Sequence, residues 1–216
     1  MKNEYLMTCL KEIKSDIAGG KTSYAAKQIE ELLRQLRHEE QEKQERKDGR
    51  KEALAGAKEL LKSGRKTREM LGYAYTDPKN GKQAVSNIRA LVVFAEPIKS
   101  LPELPEDMRY FDYEKCIPHD NKRRVELPHI AELKEHIAAG KAELKRSGKP
   151  TKGAVIEYAL KAEDITVYVN AEMLLSVLKC MGDCECYAGR SITPLYFRNV
   201  NGDEAVLCQI RPATNQ

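Results

Sequence analysis

The stretch that decides the fold is Val169–Pro212, which reads VNAEMLLSVLKCMGDCECYAGRSITPLYFRNVNGDEAVLCQIRP. Apolar residues recur at helical spacing from Met173 to Leu178, and Asn170 is a residue type that caps helix N-termini. Three runs that alternate apolar and polar residues follow, with turn-forming residues between them. The stretch therefore predicts one amphipathic helix followed by three strands.

Residues upstream of this stretch predict further strands and another helix. Apolar residues at helical spacing predict a helix from Pro128 to Arg146. The dipeptide Asn80-Gly81 is a strong hairpin signal. Runs rich in β-branched, aromatic or alternating residues predict strands at Met70–Tyr75, Gln83–Ser86, Arg89–Glu96, Val155–Leu160 and Ile165–Val169. The sequence therefore predicts an α+β protein in which helices pack on an antiparallel sheet.

The N-terminal residues have a purely helical pattern. One apolar stripe runs from Leu6 to Ile17 and a second from Ala25 to Leu36, both at steps of three and four residues. Gly19-Gly20 interrupts the pattern between them, and Thr22 or Ser23 is a suitable cap for the second helix. We expect a helical hairpin here.

A charged run separates this hairpin from the rest of the chain. Residues Arg37–Asp48 read RHEEQEKQERKD, with nine Asp, Glu, Lys or Arg residues in twelve. Oppositely charged residues spaced four apart are typical of a solvated helix. We therefore predict two domains, a helical hairpin with a charged spacer over residues 1–48 and the α+β domain over residues 49–212.

Composition limits the classes of function. The net charge is only +4, from 37 Lys and Arg against 33 Asp and Glu, so nucleic-acid binding would need a local basic face. No apolar run approaches the roughly 18 residues that a membrane span needs. The N-terminal residues are broken by charges and do not resemble a signal peptide. Six cysteines without such a signal predict reduced thiols in a cytoplasmic protein, and no membrane partner.

Two stretches invite a nucleotide-binding or metal-binding interpretation. Gly19-Gly20-Lys21-Thr22 is like the end of a phosphate-binding loop, but Ser15 stands where that loop has glycine and a helix precedes it instead of a strand. Cys180, Cys184, Cys186 and Cys208 are enough thiols for a zinc ion, yet the C-x3-C-x-C spacing is unusual and favours reduced core residues. No nucleophile–base or paired-carboxylate pattern is present. We predict no enzyme, no catalytic residues, no metal and no cofactor.

The order of the motifs is more informative than any one of them. Phe111–Pro118 reads FDYEKCIP and is followed by the helix predicted from Pro128. The strands and the Asn170-led helix come next, then Thr193-Pro194, and the chain closes on Val206–Arg211. In this order the pieces resemble the last domain of the bacterial DNA polymerase III β subunit, the sliding clamp, together with the linker that precedes it.

This chain departs from the clamp pattern in three ways. Clamp chains carry three such domains, and this chain is too short for three. The family's final Met-Pro-Met is replaced by Cys208-Gln209-Ile210, and the first proline of its linker is replaced by Phe111. The resemblance covers residues 65–212, so the N-terminal hairpin lies outside it.

In clamps, the linker and the final strand line an apolar pocket that grips short peptides of polymerases and other partners. The resemblance implies that the matching positions bind a peptide or replication-protein partner here: Phe111, Lys115, Cys116, Cys208, Gln209 and Ile210. The alternative is that these are ordinary edge and core residues.

Clamps also surround double-stranded DNA with helices whose basic faces contact phosphates weakly and without sequence preference. Lys134, Lys141 and Lys145 are seven and four residues apart, so they share one helix face, and Arg146 extends the charge. The resemblance implies that these four residues bind DNA. The alternative is a solvated helix face.

The resemblance implies a non-catalytic, clamp-like protein associated with DNA replication. Its truncated form suggests a phage or mobile element as the source. The short apolar stripes of the hairpin need a partner to be stable, which predicts a homo-oligomer or a docked protein. The alternative function is a structural or regulatory protein-binding module that keeps the fold but binds no DNA.

Overall fold

The computed structural model describes residues 3–118, 120–189 and 193–211, so Pro212 lies outside the described residues. Within the chain, contacts separate two compact units, Met1–Arg50 and Lys51–Gln216.

The first unit is a helical hairpin of α1, Asn3–Ala18, and α2, Thr22–Lys47. Gly20 closes α1 in a left-handed conformation at φ 76°, a geometry that glycine adopts without steric cost. The Lys21 amide donates to the carbonyl of Asp16 and the Gly20 amide to that of Ile17, at 2.8 and 3.1 Å. This is the bond pattern of a Schellman motif. The predicted glycine turn is confirmed.

One detail of the predicted hairpin was wrong. Lys21 precedes α2 as its N-cap and no side chain caps the helix, so Thr22 and Ser23 are its first residues instead of caps. The charged run is helical as predicted, because α2 continues through it to Lys47. Charge pairs such as Arg46–Glu42, with nitrogen and oxygen 3.6 Å apart, favour helix along this run.

The second unit contains one nine-stranded sheet in which every neighbouring pair of strands is antiparallel. Its strand order is β1-β2-β3-β9-β8-β7-β4-β5-β6. The strands are β1 Tyr75–Thr76, β2 Gln83–Ser86, β3 Ala90–Phe94, β4 Arg123–Val125, β5 Glu157–Ala162, β6 Ile165–Asn170, β7 Cys184–Ala188, β8 Leu195–Asn199 and β9 Glu204–Leu207. The predicted α+β class with an antiparallel sheet is confirmed.

Three helices belong to the second unit: α3 Lys51–Arg65, α4 Ile130–Arg146 and α5 Ala171–Met181. Their apolar faces join one face of the sheet in a single core, which includes Leu60, Leu133, Leu174 and Phe197. Asn170 caps α5 as predicted, because its side-chain oxygen accepts from the amides of Glu172 and Met173 at 2.9 and 3.1 Å. No helix among the described residues is both long and apolar enough to cross a membrane.

Helices α3 and α5 pack unusually close together. A side chain at Gly56 would put its Cβ 2.5 Å from the Ser176 carbonyl oxygen, so only glycine fits there. At the same contact Glu59 accepts from the Ser176 hydroxyl at 2.9 Å and from the Lys179 ammonium at 2.6 Å. The close approach therefore combines a backbone contact with polar pairing at its edge.

Several predicted boundaries were wrong. The run Met70–Tyr75 is mainly a 3-10 turn, Glu69–Gly72, and only Tyr75 of that run is in a strand. Helix α4 begins at Ile130 with His129 as its N-cap, instead of at Pro128. Strand β9 ends at Leu207, so the residues from Cys208 onward leave the sheet.

The opposite face of the sheet is covered by the segment that precedes β4. Ala84, Leu91, Val93 and Val206 project from β2, β3 and β9 on this face, and the buried Tyr113 ring packs on them. Tyr75, Tyr110, Phe111 and Ile117 surround this second apolar cluster. The segment around Tyr113 therefore forms one wall of the cavity described next.

Candidate protein-binding groove

A groove with a volume of about 590 Å³ lies between the linker segment Phe111–Pro118 and residues at the ends of β2, β3 and β9. Its lining is mainly apolar, with three cations and two thiols among the lining residues. They are Arg68, Met70, Leu71, Ser86, Ile88, Arg89, Ala90, Leu91, Phe111, Lys115, Cys116, Ile117, Pro118, Pro194, Val206 and Cys208. Its size and apolar lining suit a short peptide.

The linker wall is anchored by the β1–β2 hairpin. The Tyr113 hydroxyl donates to an Asp77 carboxylate oxygen at 3.3 Å and accepts from the Asn80 amide at 3.1 Å. The Asn80 amide also donates to Glu114 at 3.2 Å. Burial raises the pKa of Tyr113, with the acidic neighbours adding to it. The predicted hairpin at Asn80-Gly81 therefore positions the linker as well as joining two strands.

Stacked aromatic rings hold the start of the linker. The Tyr110 ring lies 5.1 Å from Tyr75 and 4.6 Å from Phe111, centroid to centroid, in stacked geometry. Such pairs add about 0.5–1.5 kcal/mol beyond area burial. Burial also raises the pKa of Tyr110. Phe111 reaches the groove from this stack, and the stack therefore fixes the position of the groove's aromatic lining residue.

The structure brings together four of the six predicted partner-binding residues. Phe111, Lys115 and Cys116 line the groove from the linker, and Cys208 lines it from the chain's last segment. The other two are directed elsewhere: the Gln209 amide donates to the Thr193 carbonyl at 2.7 Å, and the Ile210 amide bonds the Tyr168 carbonyl. Neither is among the lining residues. Their binding role stays a prediction.

Cys116 and Cys208 face the same cavity from different segments of the chain. Burial raises the pKa of both thiols, and each is influenced by a nearby charged or ionisable group: Asp112 for Cys116, and Cys116 itself for Cys208. The Cys208 amide bonds the Arg89 carbonyl at 2.7 Å, which ties the chain's last segment to the β2–β3 turn. At neutral pH both groups are therefore protonated thiols that offer apolar surface.

Sequence reasoning missed the β2–β3 turn, although it forms a third wall. Ile88 and Arg89 line the groove from this turn, and Arg68 and Leu71 line it from the segment after α3. Ile88 has φ 76° and is 51% exposed, which is rare for a β-branched residue. An isoleucine between two predicted strands gives no warning of such a conformation.

The predicted DNA-binding residues all lie on or at the end of α4, but two of them are paired with acidic groups. Lys141 contacts Glu172 at 2.6 Å, which fixes it against α5, and Arg146 contacts Glu143 at 3.1 Å. Lys134 and Lys145 are exposed. Lys141 therefore lies at the α4–α5 contact, where its charge is paired with that of Glu172.

The four cysteines weighed as zinc ligands belong to different environments. Cys180 is buried and its thiol contacts the Ala53 carbonyl, whereas Cys208 lines the groove. Cys184 and Cys186 lie on one face of β7 and contribute to the core. Burial raises the pKa of Cys184 to about 12, so its thiol is protonated at neutral pH. Within the described ranges, no group of three metal-ligating residue types is close enough to hold a metal ion.

No protein-family model matches the chain, and no curated protein matches it in sequence. Among solved structures, the chain is similar to the DnaN sliding clamp (DNA polymerase III subunit beta) of Bartonella birtlesii bound to griselimycin. The identity is 11% and the TM-score 0.45, with 67% of this chain and 60% of that chain covered.

Two further clamps are similar at comparable levels. The Caulobacter crescentus beta sliding clamp has 13% identity and a TM-score of 0.43, over 67% of this chain and 58% of that one. The Helicobacter pylori beta clamp bound to a DNA ligase peptide has 16% identity and a TM-score of 0.37, over 61% and 41%. The chain thus spans at most 60% of the length of these clamps.

Proposed function

We propose that this chain is a clamp-like, non-catalytic protein of DNA replication that holds a short peptide segment of a partner protein in the groove between Phe111–Pro118 and Cys208. The observation that carries the proposal is the convergence on one groove of residues from two distant motifs. Phe111, Lys115 and Cys116 come from one motif and Cys208 from the other, and all four line the same cavity.

Chance convergence is a weak explanation for this arrangement. The two motifs are far apart in the sequence, yet residues of both line one cavity. A volume of about 590 Å³ and mostly apolar walls are suitable for two or three buried side chains. The anchored linker and the ends of β2, β3 and β9 hold these walls in place, which lowers the entropic cost of binding.

Blocking the groove tests this function. We expect Cys116→Trp to place an indole in the cavity at little cost to folding, because Cys116 is exposed. The probe is a dye-labelled peptide, Gln-Leu-Phe-Leu-Gln, and the readout is fluorescence anisotropy. Affinity should fall by about tenfold or more, the order expected when one buried apolar side chain of the ligand is excluded.

The matched control is Lys134→Trp, which adds the same indole to the exposed face of α4. It should leave peptide affinity unchanged. Equal weakening by both variants, or no measurable binding of the peptide to the unaltered protein, would remove the groove as the binding site. The chain has no natural tryptophan, so the introduced indole also reports on its own surroundings by fluorescence.

Double-stranded DNA is the second proposed partner, bound weakly and without sequence preference by α4. Lys134, Lys145 and Arg146 are the exposed cations of the predicted set, and of these Arg146 is paired with Glu143. Reversal of both charges, Lys134→Glu with Lys145→Glu, should reduce retention on duplex DNA at low salt and lower the salt slope by about two. Lys62→Glu with Lys66→Glu makes the same charge change on exposed residues elsewhere. Equal retention by both double variants would argue against the α4 face.

A protein-binding module without DNA contact is the alternative function. The pairing of Lys141 with Glu172 and of Arg146 with Glu143 favours it, because these contacts already neutralise half of the predicted basic set. The peptide and DNA experiments together separate the two functions. A protein that binds the peptide but shows no salt-sensitive DNA retention fits the alternative.

Self-association is also part of the proposal. Seven of the large exposed apolar residues lie in the hairpin of α1 and α2: Tyr5, Met7, Leu10, Ile17, Tyr24, Ile29 and Leu33. A second copy of the hairpin would remove this apolar surface from water.

A further inference from the structure

We infer that the β2–β3 turn makes the groove selective for an acidic peptide with apolar anchor residues. Ile88 supplies an apolar contact, and Arg89 and Arg68 supply positive charge beside it. This inference rests on the proposed peptide-binding function and adds the chemistry of the partner. It depends on residues outside both motifs that the sequence singled out.

The backbone at Ile88 is strained, because Ile88 is the first residue of a two-residue hairpin turn that needs a positive φ there. A φ of 76° brings the Cβ of an L-residue close to its own carbonyl oxygen, at a cost of roughly 1–2 kcal/mol. Glycine or asparagine would fill this position more cheaply. Ile88 is also 51% exposed, so its side chain contributes little to the core. Strained residues of this kind cluster at binding sites.

The turn that holds Ile88 is rigid. Asn87 is buried, and its side-chain oxygen accepts from the amides of Arg89 and Ala90 at 3.1 and 2.8 Å. Its side-chain nitrogen donates to the Ser63 hydroxyl at 2.9 Å. Ser86 adds a bond from its hydroxyl to the Ala90 carbonyl at 2.9 Å. The turn therefore presents Ile88 to the groove in a fixed position, which suits a preformed contact.

The charges around the groove are not equivalent. Lys115 is partly neutralised by Asp112, 2.9 Å away. Arg68 and Arg89 are exposed, and neither forms an ion pair with another residue in the part of the chain that the structure describes. Two guanidinium groups beside an apolar cavity favour a ligand with carboxylates flanking its apolar side chains. The partner segment is therefore predicted to be amphipathic and acidic.

Three peptides that differ only in flanking charge test the selectivity. They are Glu-Leu-Phe-Leu-Glu, Gln-Leu-Phe-Leu-Gln and Lys-Leu-Phe-Leu-Lys, with blocked termini and the same dye. We expect the acidic peptide to bind about three- to tenfold more tightly than its glutamine isostere at low salt, and the basic one most weakly. This advantage should shrink as salt rises, and should vanish in Arg68→Gln with Arg89→Gln.

Ile88 is tested by substitutions that separate strain from contact. Ile88→Asn and Ile88→Gly both tolerate a positive φ, so both should fold at least as stably as the unaltered protein. Both should nevertheless bind the acidic peptide about tenfold more weakly, because the apolar contact is lost. A purely structural role for Ile88 predicts unchanged affinity for the peptide in both variants.

The outcomes distinguish the inference from the function on which it rests. Equal affinity for all three peptides, with binding still blocked by Cys116→Trp, overturns the charge selectivity and leaves the groove as a peptide site. Unchanged affinity in Ile88→Asn overturns the role of Ile88. Failure of all three peptides to bind overturns the proposed function itself.

Discussion

For a single residue such as Cys184, burial sets the pKa of the thiol. Cys184 lies where β7 meets the core, and burial followed by the nearby Asp183 raises its pKa from 9.0 to about 12. The folded state therefore holds its proton at pH values where the unfolded chain releases it. By linkage, the stability contribution of this group is fully present below pH 9.0 and is lost as pH rises toward about 12.

Removal of the Cys184 thiol should make the protein less sensitive to alkali. Between pH 9 and pH 10 the free energy of unfolding should decrease in both proteins. The decrease should be smaller in Cys184→Ala, by up to about 1.4 kcal/mol. Urea unfolding followed by circular dichroism at each pH measures this. At pH 7 the two proteins should have the same pH slope, and parallel slopes throughout the alkaline range would contradict the burial of this thiol.

Single residues also show what sequence reasoning captures. Asn170 was predicted as a cap because its side chain needs only the local backbone of α5, and the structure confirms this. Thr22 and Ser23 have the same chemistry, but the Schellman turn at Gly20 brings the chain directly into α2 and leaves no residue for a side-chain cap. Ile88 was not predicted, because its conformation is imposed by bonds from Asn87 to distant Ser63.

At the scale of elements, the contact between α3 and α5 is set by the absence of a side chain at Gly56. Gly56→Ala gains about 1 kcal/mol of helix propensity but forces a Cβ against the Ser176 carbonyl oxygen. We expect a net loss of stability of about 1–3 kcal/mol, because backbone must move. Thermal or urea unfolding measures the loss.

An exposed residue of the same helix provides the control for this contact. Lys62→Ala changes an exposed side chain of α3 and should leave stability within about 0.5 kcal/mol. A Gly56→Ala variant as stable as Lys62→Ala would contradict the close approach of the two helices.

The elements that make the groove were predicted unequally well. The linker and the final segment carry motifs that a clamp resemblance identifies, and four of the six partner-binding residues predicted from them line the cavity. The 3-10 turn Glu69–Gly72 was predicted as a strand, because its apolar residues satisfy either structure locally. The turn packs against α3 at Gly64, where an added Cβ would lie 2.7 Å from the Leu71 carbonyl oxygen. This contact joins separate elements, so the local sequence does not predict it.

For the whole molecule, the hairpin of α1 and α2 raises the question of oligomeric state. Its interior is small, with only Ile13, Ala25 and Leu32 buried as a cluster, although larger apolar residues are exposed. We expect the full chain to self-associate through this surface. Light scattering coupled to size-exclusion chromatography should therefore give a mass above the 24.5 kDa of one chain.

Replacement of exposed apolar residues of the hairpin by charged residues should prevent this self-association. Leu10→Lys with Leu33→Lys removes apolar surface from both helices and should shift the mass to that of one chain. Ser15→Lys with Ser23→Lys adds the same charge at exposed polar positions and should not. A single-chain mass for the unaltered protein at high micromolar concentration would contradict self-association and with it any ring formed by several copies.

Protection of the two groove thiols tests the central claim most directly, because Cys116 and Cys208 line the cavity from the two predicted motifs. Alkylation by iodoacetamide, followed at each cysteine by mass spectrometry, is measured with and without saturating Glu-Leu-Phe-Leu-Glu. Bound peptide should slow alkylation of Cys116 and Cys208 and leave that of Cys9, in the hairpin, unchanged. Peptide binding with unchanged alkylation at both groove thiols would contradict the account.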